Sequence, residues 1–289
     1  MPIVPGHEIV KTAYESGYGV AAINCQGGNY DIVRAVLDTA NEEMAPVIVA
    51  IHPNNTAYYG LDWGPHLVRH LARDLRIPVA VHLDHGSDVP TVIQAVNAGY
   101  SSVMIDYSSK SLSKNIAATR AVLEAARPAG VGVEAELGEL RRNEGDTETA
   151  PSAKENLVDP AVVKEFIQET RVDMLAIGIG NAHGFYKGEP EIRLDLLAAV
   201  RRVAGNTPLV LHGTTGIPED TVRECISQGM AKVNFGTIVR TQFVRYLRDG
   251  MSNEDIHRGH PWRLLQHAHT AIKEDIRRIL RLTGSSNRA

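Results

Sequence analysis

The stretch PVAVHLDHGSDVPTVIQAVNAGYSSVMIDYS, residues 78–108, contains the unit from which this chain is built. It opens on a nearly all-apolar run, PVAVHLDHG (78–86), that ends in polar and small residues. Text with apolar residues at three- and four-residue steps follows, VPTVIQAVNAGY, and then a second apolar run, SVMIDYS (102–108). Val- and Ile-rich runs without alternation are the pattern of parallel strands buried on both faces. The stepped text between them is that of an amphipathic crossover helix. The unit recurs in both directions. GVAAINC (19–25) and PVIVAIH (46–52) come before it, with the helical segment NYDIVRAVLDTANEE between them. GVGVEAELG (130–138), MLAIGIGN (174–181), PLVLHGT (208–214) and KVNFGT (232–237) come after. Eight strands alternating with helices predict an α/β protein, a (β/α)₈ barrel of the TIM type, as a single domain over residues 1–289. A doubly wound open sheet has fewer strands and a Gly-rich turn after the first. Here the first run ends in Asn24-Cys25-Gln26 before its glycine pair.

Composition narrows the class. The chain has 289 residues, 43% hydrophobic and 22% charged, as expected of an ordinary globular protein. Its formal charge of −4 argues against a nucleic-acid partner, which calls for a basic excess. No apolar stretch is long enough for a bilayer span, and MPIVPGHEIVKTAYESG has no signal-peptide pattern. Two cysteines, Cys25 and Cys225, are too few for a disulfide framework, so a cytoplasmic location is expected. The polar stretch Arg141–Lys154 reads as a mobile surface loop, bounded at 139–155. Residues 255–289 read as a C-terminal helical extension. Within it Ile272, Ile276, Ile279 and Leu280 form one stripe and Gly284 is the stop, the stripe closing the barrel or packing on another subunit.

A barrel of this kind builds its active site at the C-terminal strand ends. Polar residues collect there: Asp84 and His85 after run three, Glu134 and Glu136 in run five, Asn181 and His183 after run six, His212 in run seven, Asn234 and Thr237 in run eight. A lone histidine is usually a satisfied core or surface group. That reading stands for His52, His66, His70, His257, His260, His267 and His269, and His82 reads as barrel filling. His85, His183 and His212 differ, because each sits at a strand end and is followed at once by Gly. Three neutral imidazoles leave a fourth position open on Zn²⁺, as catalytic zinc sites do. The turns Gly213-Thr214-Thr215-Gly216 and Asn234-Phe235-Gly236-Thr237 can cradle a phosphate with backbone N–H groups. Alternatively, the glycines simply make the turns. No lysine is expected to be buried at the strand ends, Lys232 being read as preceding its strand, so no Schiff base is called for.

Taken in order, AINCQGGNYDIVRAVLDTANEEMAPVIV, HLDHG, VEAELGEL, GNAHGFYKG, LHGTTG, KVNFGT and the final TGSSNR resemble the class II, zinc-dependent ketose-bisphosphate aldolases of the fructose- and tagatose-bisphosphate group. The resemblance runs over nearly the whole chain. It implies a metal-dependent lyase of carbohydrate metabolism that cleaves a ketose (bis)phosphate reversibly to dihydroxyacetone phosphate and an aldehyde. It implies zinc, or another divalent ion, on His85, His183 and His212, and a monovalent cation, Na⁺ or K⁺, near the glycine turns. Asp84 matches the residue that exchanges a proton with the C4 hydroxyl, and Glu144 falls at the spacing of the acid/base for the C3 proton. Glu136 matches a carboxylate supporting the metal. Gly184, Gly213, Thr215, Asn234 and Thr237 match positions around the dihydroxyacetone-phosphate half. A homodimer or homotetramer is implied, with no nucleic-acid or membrane partner.

The departures from the family pattern fall on the other half of the substrate. Arg141-Arg142 stands where the loop usually has Gly-Gly, and His52 where many members have Ser. His260-Pro261-Trp262 stands where Asp-Pro-Arg supplies a phosphate-binding Arg, with Arg263 one step away. Thr214 and Thr215 replace Gly and Ser. Asn24 and Lys187 complete the candidate supporting or specificity residues, together with His52, Glu136, Arg141, Arg142, Trp262 and Arg263. Two substrates stay open. One is a 1,6-bisphosphate, with Arg141, Arg142 or Arg263 replacing the lost phosphate contact by bidentate hydrogen bonds. The other is a ketose 1-phosphate whose far end meets His52 and Trp262. Arg141 and Arg142 can equally be solvated loop charges. A zinc hydrolase would need His-x-His at the end of strand one, and a non-catalytic relative should have lost a ligand or Asp84; neither description fits.

Overall fold

The computed structural model describes residues 3–138, 157–186 and 188–289. Eight strands close into a barrel in sequence order, all parallel, with the last paired to the first. They are β1 (Val20–Asn24), β2 (Val47–Ile51), β3 (Val79–Gly86), β4 (Ser102–Ile105), β5 (Gly132–Leu137), β6 (Met174–Ile177), β7 (Leu209–Leu211) and β8 (Met230–Phe235). Each lies within or across one of the eight apolar runs, and helices such as Tyr30–Glu42, Val89–Ala98 and Leu112–Ala126 cover the outside.

Strand side chains alternate between the two faces. Outward residues such as Ile23, Val47, Val49, Val81, Val133 and Leu175 join the main core beneath the helices. Inward residues near the strand starts form a second cluster: Val20, Ala22, Ile48, Ala80, Met174, Ala176 and Val210. The helix Gly6–Ser16 plugs that end with Ile9, Val10 and Ala13. The interior is therefore apolar at one end. At the other it carries fully buried His82, Glu134, Glu136, His212 and Lys232.

Lys232 corrects the sequence expectation. β8 begins at Met230, so the lysine is inside the strand and fully buried rather than ahead of it. Gly229, at φ +100°, ends the preceding turn and lets Met230 enter the sheet at once. What makes an inward lysine tolerable is Glu134 of β5, whose Oε2 lies 2.8 Å from Nζ.

The C-terminal helix Pro261–Thr283 packs on its own chain. Ile272, Ile276, Ile279 and Leu280 are buried, and Gly284 ends the helix in the left-handed region at φ +74°. Past it, Asn287 N–H donates to the Glu43 carbonyl at 2.8 Å, and Arg281 and Ser286 hold the Glu43 carboxylate. Among the described residues no helix is long and apolar enough to cross a membrane.

Ile276 is completely covered, so Ile276→Ala removes buried methylene groups and leaves a cavity. The variant is expected to lose about 2–5 kcal/mol of stability. Urea unfolding with an unchanged m-value would show it; a loss under about 0.5 kcal/mol would mean that the helix does not close the core.

Candidate active site

The two consecutive residues at the end of β3 pose a geometric problem. Adjacent strand residues point to opposite faces, yet Asp84 and His85 both line one cavity of about 360 Å³. His85 has φ +54°, in the left-handed region, and the β3–β4 register shifts between Leu83 and Gly86. The local twist of such an irregularity re-aims a side chain, and it brings His85 to the same side as Asp84. Gly86 makes the turn possible, since a Cβ there would lie 2.7 Å from the Met104 carbonyl oxygen. The Gly after His212 has a parallel reason: a Cβ on Gly213 would collide with the Ala182 backbone.

His183 reaches the cavity from a loop six residues beyond β6. Asn181 shapes that loop: its Oδ1 accepts from Ile179 N–H at 2.8 Å, and its Nδ2 donates to the His212 carbonyl at 3.0 Å. Tyr186 fastens it again by donating to the Gly213 carbonyl at 2.8 Å. The three histidine rings then stand edge to face, with centroids 4.7 Å (His85–His212), 4.8 Å (His85–His183) and 5.8 Å (His183–His212) apart. One ring nitrogen from each lies within 4.8 Å of the others.

For His85 and His212, hydrogen bonds decide which nitrogen the ring offers. Asp106 Oδ2 is 2.7 Å from His85 Nδ1, and Glu134 Oε1 is 2.8 Å from His212 Nε2. An ionised carboxylate only accepts, so these nitrogens carry the protons. The remaining pair, His85 Nε2 and His212 Nδ1, face each other at 3.0 Å. In neutral rings both would be lone pairs, and they need a cation or a proton between them. Burial opposes positive charge on His85, but Asp84, Asp106 and Glu136 raise its pKa to about 9. A site that favours positive charge, with borderline-soft nitrogen donors at its centre, suits Zn²⁺ or a similar divalent ion.

Asp84 stays ionised. Burial pushes its pKa up, yet His85, His212 and Lys232 hold the carboxyl well below its usual value. Its Oδ1 accepts from Asn234 Nδ2 at 3.1 Å. Glu136 sits behind the histidines, 3.9 Å from His85 Nδ1. Gly184, Gly213, Thr215, Asn234 and Thr237 line the cavity, and Thr214 donates to the Asn234 carbonyl at 2.6 Å, fastening the two turns together. Asn24, beside the β8 turn, and His52, with its ring centroid 6.0 Å from that of His85, line the same cavity with Gln26, Asn54 and Asn55. Asn24 Oδ1 accepts from Gln26 N–H, and His52 Nδ1 accepts from Asn54 N–H.

Trp262 and Arg263 are not among the cavity's lining residues. They stack on each other at the head of the C-terminal helix, with 5.1 Å from the Arg263 Cζ to the ring centroid. Arg141, Arg142, Glu144 and Lys187, and the whole of 139–155, lie outside the described residues. Three positions were not assigned from sequence. Asp106 stands in run four, SVMIDYS, as the carboxylate behind His85. Glu134 was seen at a strand end but given no partner. Arg240 follows Thr237 by three residues on one helix, a spacing that puts both on one face, and it too lines the cavity.

A family model described as Fructose-bisphosphate aldolase class-II matches residues 4–288. The chain is 37% identical over 295 residues to a fructose-bisphosphate aldolase of Staphylococcus aureus strain Mu50, covering 100% of both chains. It is 34% identical over 310 residues to a fructose-bisphosphate aldolase of Helicobacter pylori strain J99, covering 99% of each. Among solved structures, the YdjI aldolase from Escherichia coli K12 superposes with a TM-score of 0.86 at 27% identity, over 99% of each chain.

If the three rings bind one ion, His212→Ala should weaken zinc binding by more than the roughly 10–100-fold that losing an outer partner costs. Competition with a coloured chelator measures this on the folded protein. Unchanged affinity in His212→Ala and His183→Ala would remove both from the site.

Proposed function

The chain belongs to the class-II fructose-bisphosphate aldolase family, and from that premise we propose that it cleaves a ketose 1,6-bisphosphate between C3 and C4 to dihydroxyacetone phosphate and an aldehyde. As a member of that family it is a metal-dependent aldolase, a lyase. What supports the reading most is one juxtaposition. Three histidine nitrogens, the Asp84 carboxylate and two glycine-bearing turns open on a single cavity.

His85, His183 and His212 would hold the ion, which we take to be zinc. When bound, it supplies Lewis-acid stabilisation of the charge that develops beside the carbonyl. The residues of the chain do the rest. Asp84, held ionised and aimed by Asn234, accepts the proton of the C4 hydroxyl during cleavage and returns it during condensation. Glu144 is proposed as the acid/base at C3. Gly184, Gly213, Thr215 and Thr237 would take the 1-phosphate on backbone N–H groups and hydroxyls. Among the described lining residues Arg240 is the only Lys or Arg, and it would add its fork to a phosphate. A monovalent cation beside the turns would share that charge. A homodimer or homotetramer in the cytoplasm fits the family, and the two buried free cysteines suit a reducing compartment.

A second substrate reading has its own observation. The wall formed by Asn24, His52, Asn54 and Asn55 is polar and, among the described residues, carries no Lys or Arg. That suits a ketose 1-phosphate with a hydroxylated, uncharged far end. Release of dihydroxyacetone phosphate from fructose- and tagatose-1,6-bisphosphate, measured beside fructose 1-phosphate and other ketose 1-phosphates with zinc present, separates the two. A higher kcat/KM on a bisphosphate is expected from the first reading. Preference for a monophosphate establishes the second, and no release from any member would overturn both.

Asp84 gives a sharper check. Asp84→Asn, assayed at saturating zinc because its carboxylate lies 3.9 Å from His85 Nε2, should lower kcat by about 10²–10⁴ on every cleaved ketose. An unaffected kcat would remove Asp84 from proton transfer.

A further inference from the structure

The barrel interior contains a chain of buried polar groups that the proposed chemistry does not use. Lys232 of β8 and Glu134 of β5 are fully buried, with Nζ 2.8 Å from Oε2. The other carboxylate oxygen, Oε1, is 2.8 Å from His212 Nε2. His82 Nε2 lies 3.7 Å from Oε2, and its Nδ1 is 2.8 Å from the Ser102 hydroxyl. Lys232 does not line the cavity, and its ammonium faces Glu134, so it is placed to act through that carboxylate and not on a substrate.

We propose that Lys232 and Glu134 are positioning residues that fix the tautomer of His212, so that Nδ1 rather than Nε2 is presented to the metal. This rests on the reading of His85, His183 and His212 as metal ligands. The division of the carboxylate is the core of it. Lys232 occupies Oε2, leaving Oε1 for His212, and a carboxylate oxygen can only accept. His212 therefore keeps its proton on Nε2 and its lone pair on Nδ1, the atom 3.0 Å from His85 Nε2. Asp106 does the same to His85 from the other side with the nitrogens exchanged. The two ligands thus offer opposite ring atoms to one point, each fixed by its own carboxylate.

The pair also explains why an ammonium is retained inside a barrel. Breaking a buried ion pair leaves an uncompensated charge and is strongly destabilising, whereas an intact pair of this kind gives little net stability. Such a pair is better understood through what it orients. Partners behind a metal-bound histidine fix its tautomer and ring angle, and losing them typically costs 10–100-fold in metal affinity.

Glu134→Gln provides the test, because a side-chain amide has one accepting end and one donating end. With Lys232 present, the amide must turn its oxygen to the ammonium and its NH₂ to His212. His212 Nε2 then becomes an acceptor, and Nδ1–H points into the metal position. The variant is expected to bind zinc about 10–100-fold more weakly. Adding Lys232→Met frees the amide to turn back, so Glu134→Gln/Lys232→Met should bind zinc more tightly than Glu134→Gln alone. Long-range ¹H–¹⁵N spectra of the histidine side chains report the tautomer in metal-free protein. They should show Nε2–H on His212 in the parent and the double variant, and Nδ1–H in Glu134→Gln. Thermal melts of all three show which are folded, and Lys232→Met alone should retain the parent tautomer. The proposal falls if folded Glu134→Gln keeps Nε2–H on His212, or if the second substitution only weakens zinc binding further. A parent protein that shows the expected tautomer but binds no zinc would overturn the ligand reading and leave the tautomer assignment intact.

Discussion

The site depends on a break in strand geometry at one residue. A regular β3 would aim Asp84 into the barrel and His85 into the helical layer. The left-handed backbone at His85 and the register shift before Gly86 put a carboxylate and an imidazole from consecutive residues in one cavity. A non-glycine residue in that region costs about 1–2 kcal/mol, so the surroundings must hold it in place. Asp106 grips the ring at 2.7 Å, and the main chain of Asp106 donates to the Gly86 carbonyl at 2.8 Å. Asp106, the residue that follows β4, thus fixes both the backbone and the side chain of the strained turn.

A second constraint is charge. Asp84, Asp106, Glu134 and Glu136 crowd around His85 and His212, Glu134 and Glu136 fully buried, and carboxylates so placed could not all stay ionised unaided. Lys232 offsets one. Burial raises Glu134, but Lys232 and the hydrogen bond from His212 bring its pKa down to about 2. His82 goes the other way: burial and Lys232 lower it to about 3, so it is neutral and fills space. The remaining excess of negative charge surrounds His85 and makes the centre of the cavity a place for a cation. Electrostatics, and not only the count of three imidazoles, supports a metal reading.

Much of this was legible in the sequence, for identifiable reasons. Parallel strands buried on both faces leave unbroken Val and Ile runs, so all eight could be located; His85-Gly86 and His212-Gly213 marked strand ends, whereas His183-Gly184, expected at one, lies on a loop six residues past β6. The start of β8 was not legible, because a lysine two residues into a strand looks like the end of the core unless its partner is known. Glu134 is that partner, on a strand distant in sequence. The roles of Asp106 and Glu134 were hidden in the same way: a carboxylate behind a ligand is defined by a contact across strands, not by any local spacing. Trp262 and Arg263 were reached by alignment to the family's C-terminal text. In the fold they belong to a helix head beside the barrel, where they pack on each other.

The distribution of these residues explains how the chemistry can be complete while the family pattern is broken elsewhere. Asp84, His85, Glu134, Glu136 and Asn234 lie in strands, and His212 directly follows one, so each is fixed by the hydrogen-bonded barrel and by buried neighbours. Changing any one disturbs several others, as the shared contacts of Glu134 with Lys232 and His212 illustrate. His52, Asn54 and Asn55 stand just past β2, at the start of a short helix whose first turn is capped by the His52 ring itself. Replacing Asn54 or Asn55 would alter one wall of the cavity, whereas the His52 ring, with its centroid 6.0 Å from that of His85, borders the buried network. That rim can therefore vary at low structural cost, while the groups packed around His85 and His212 stay unaltered.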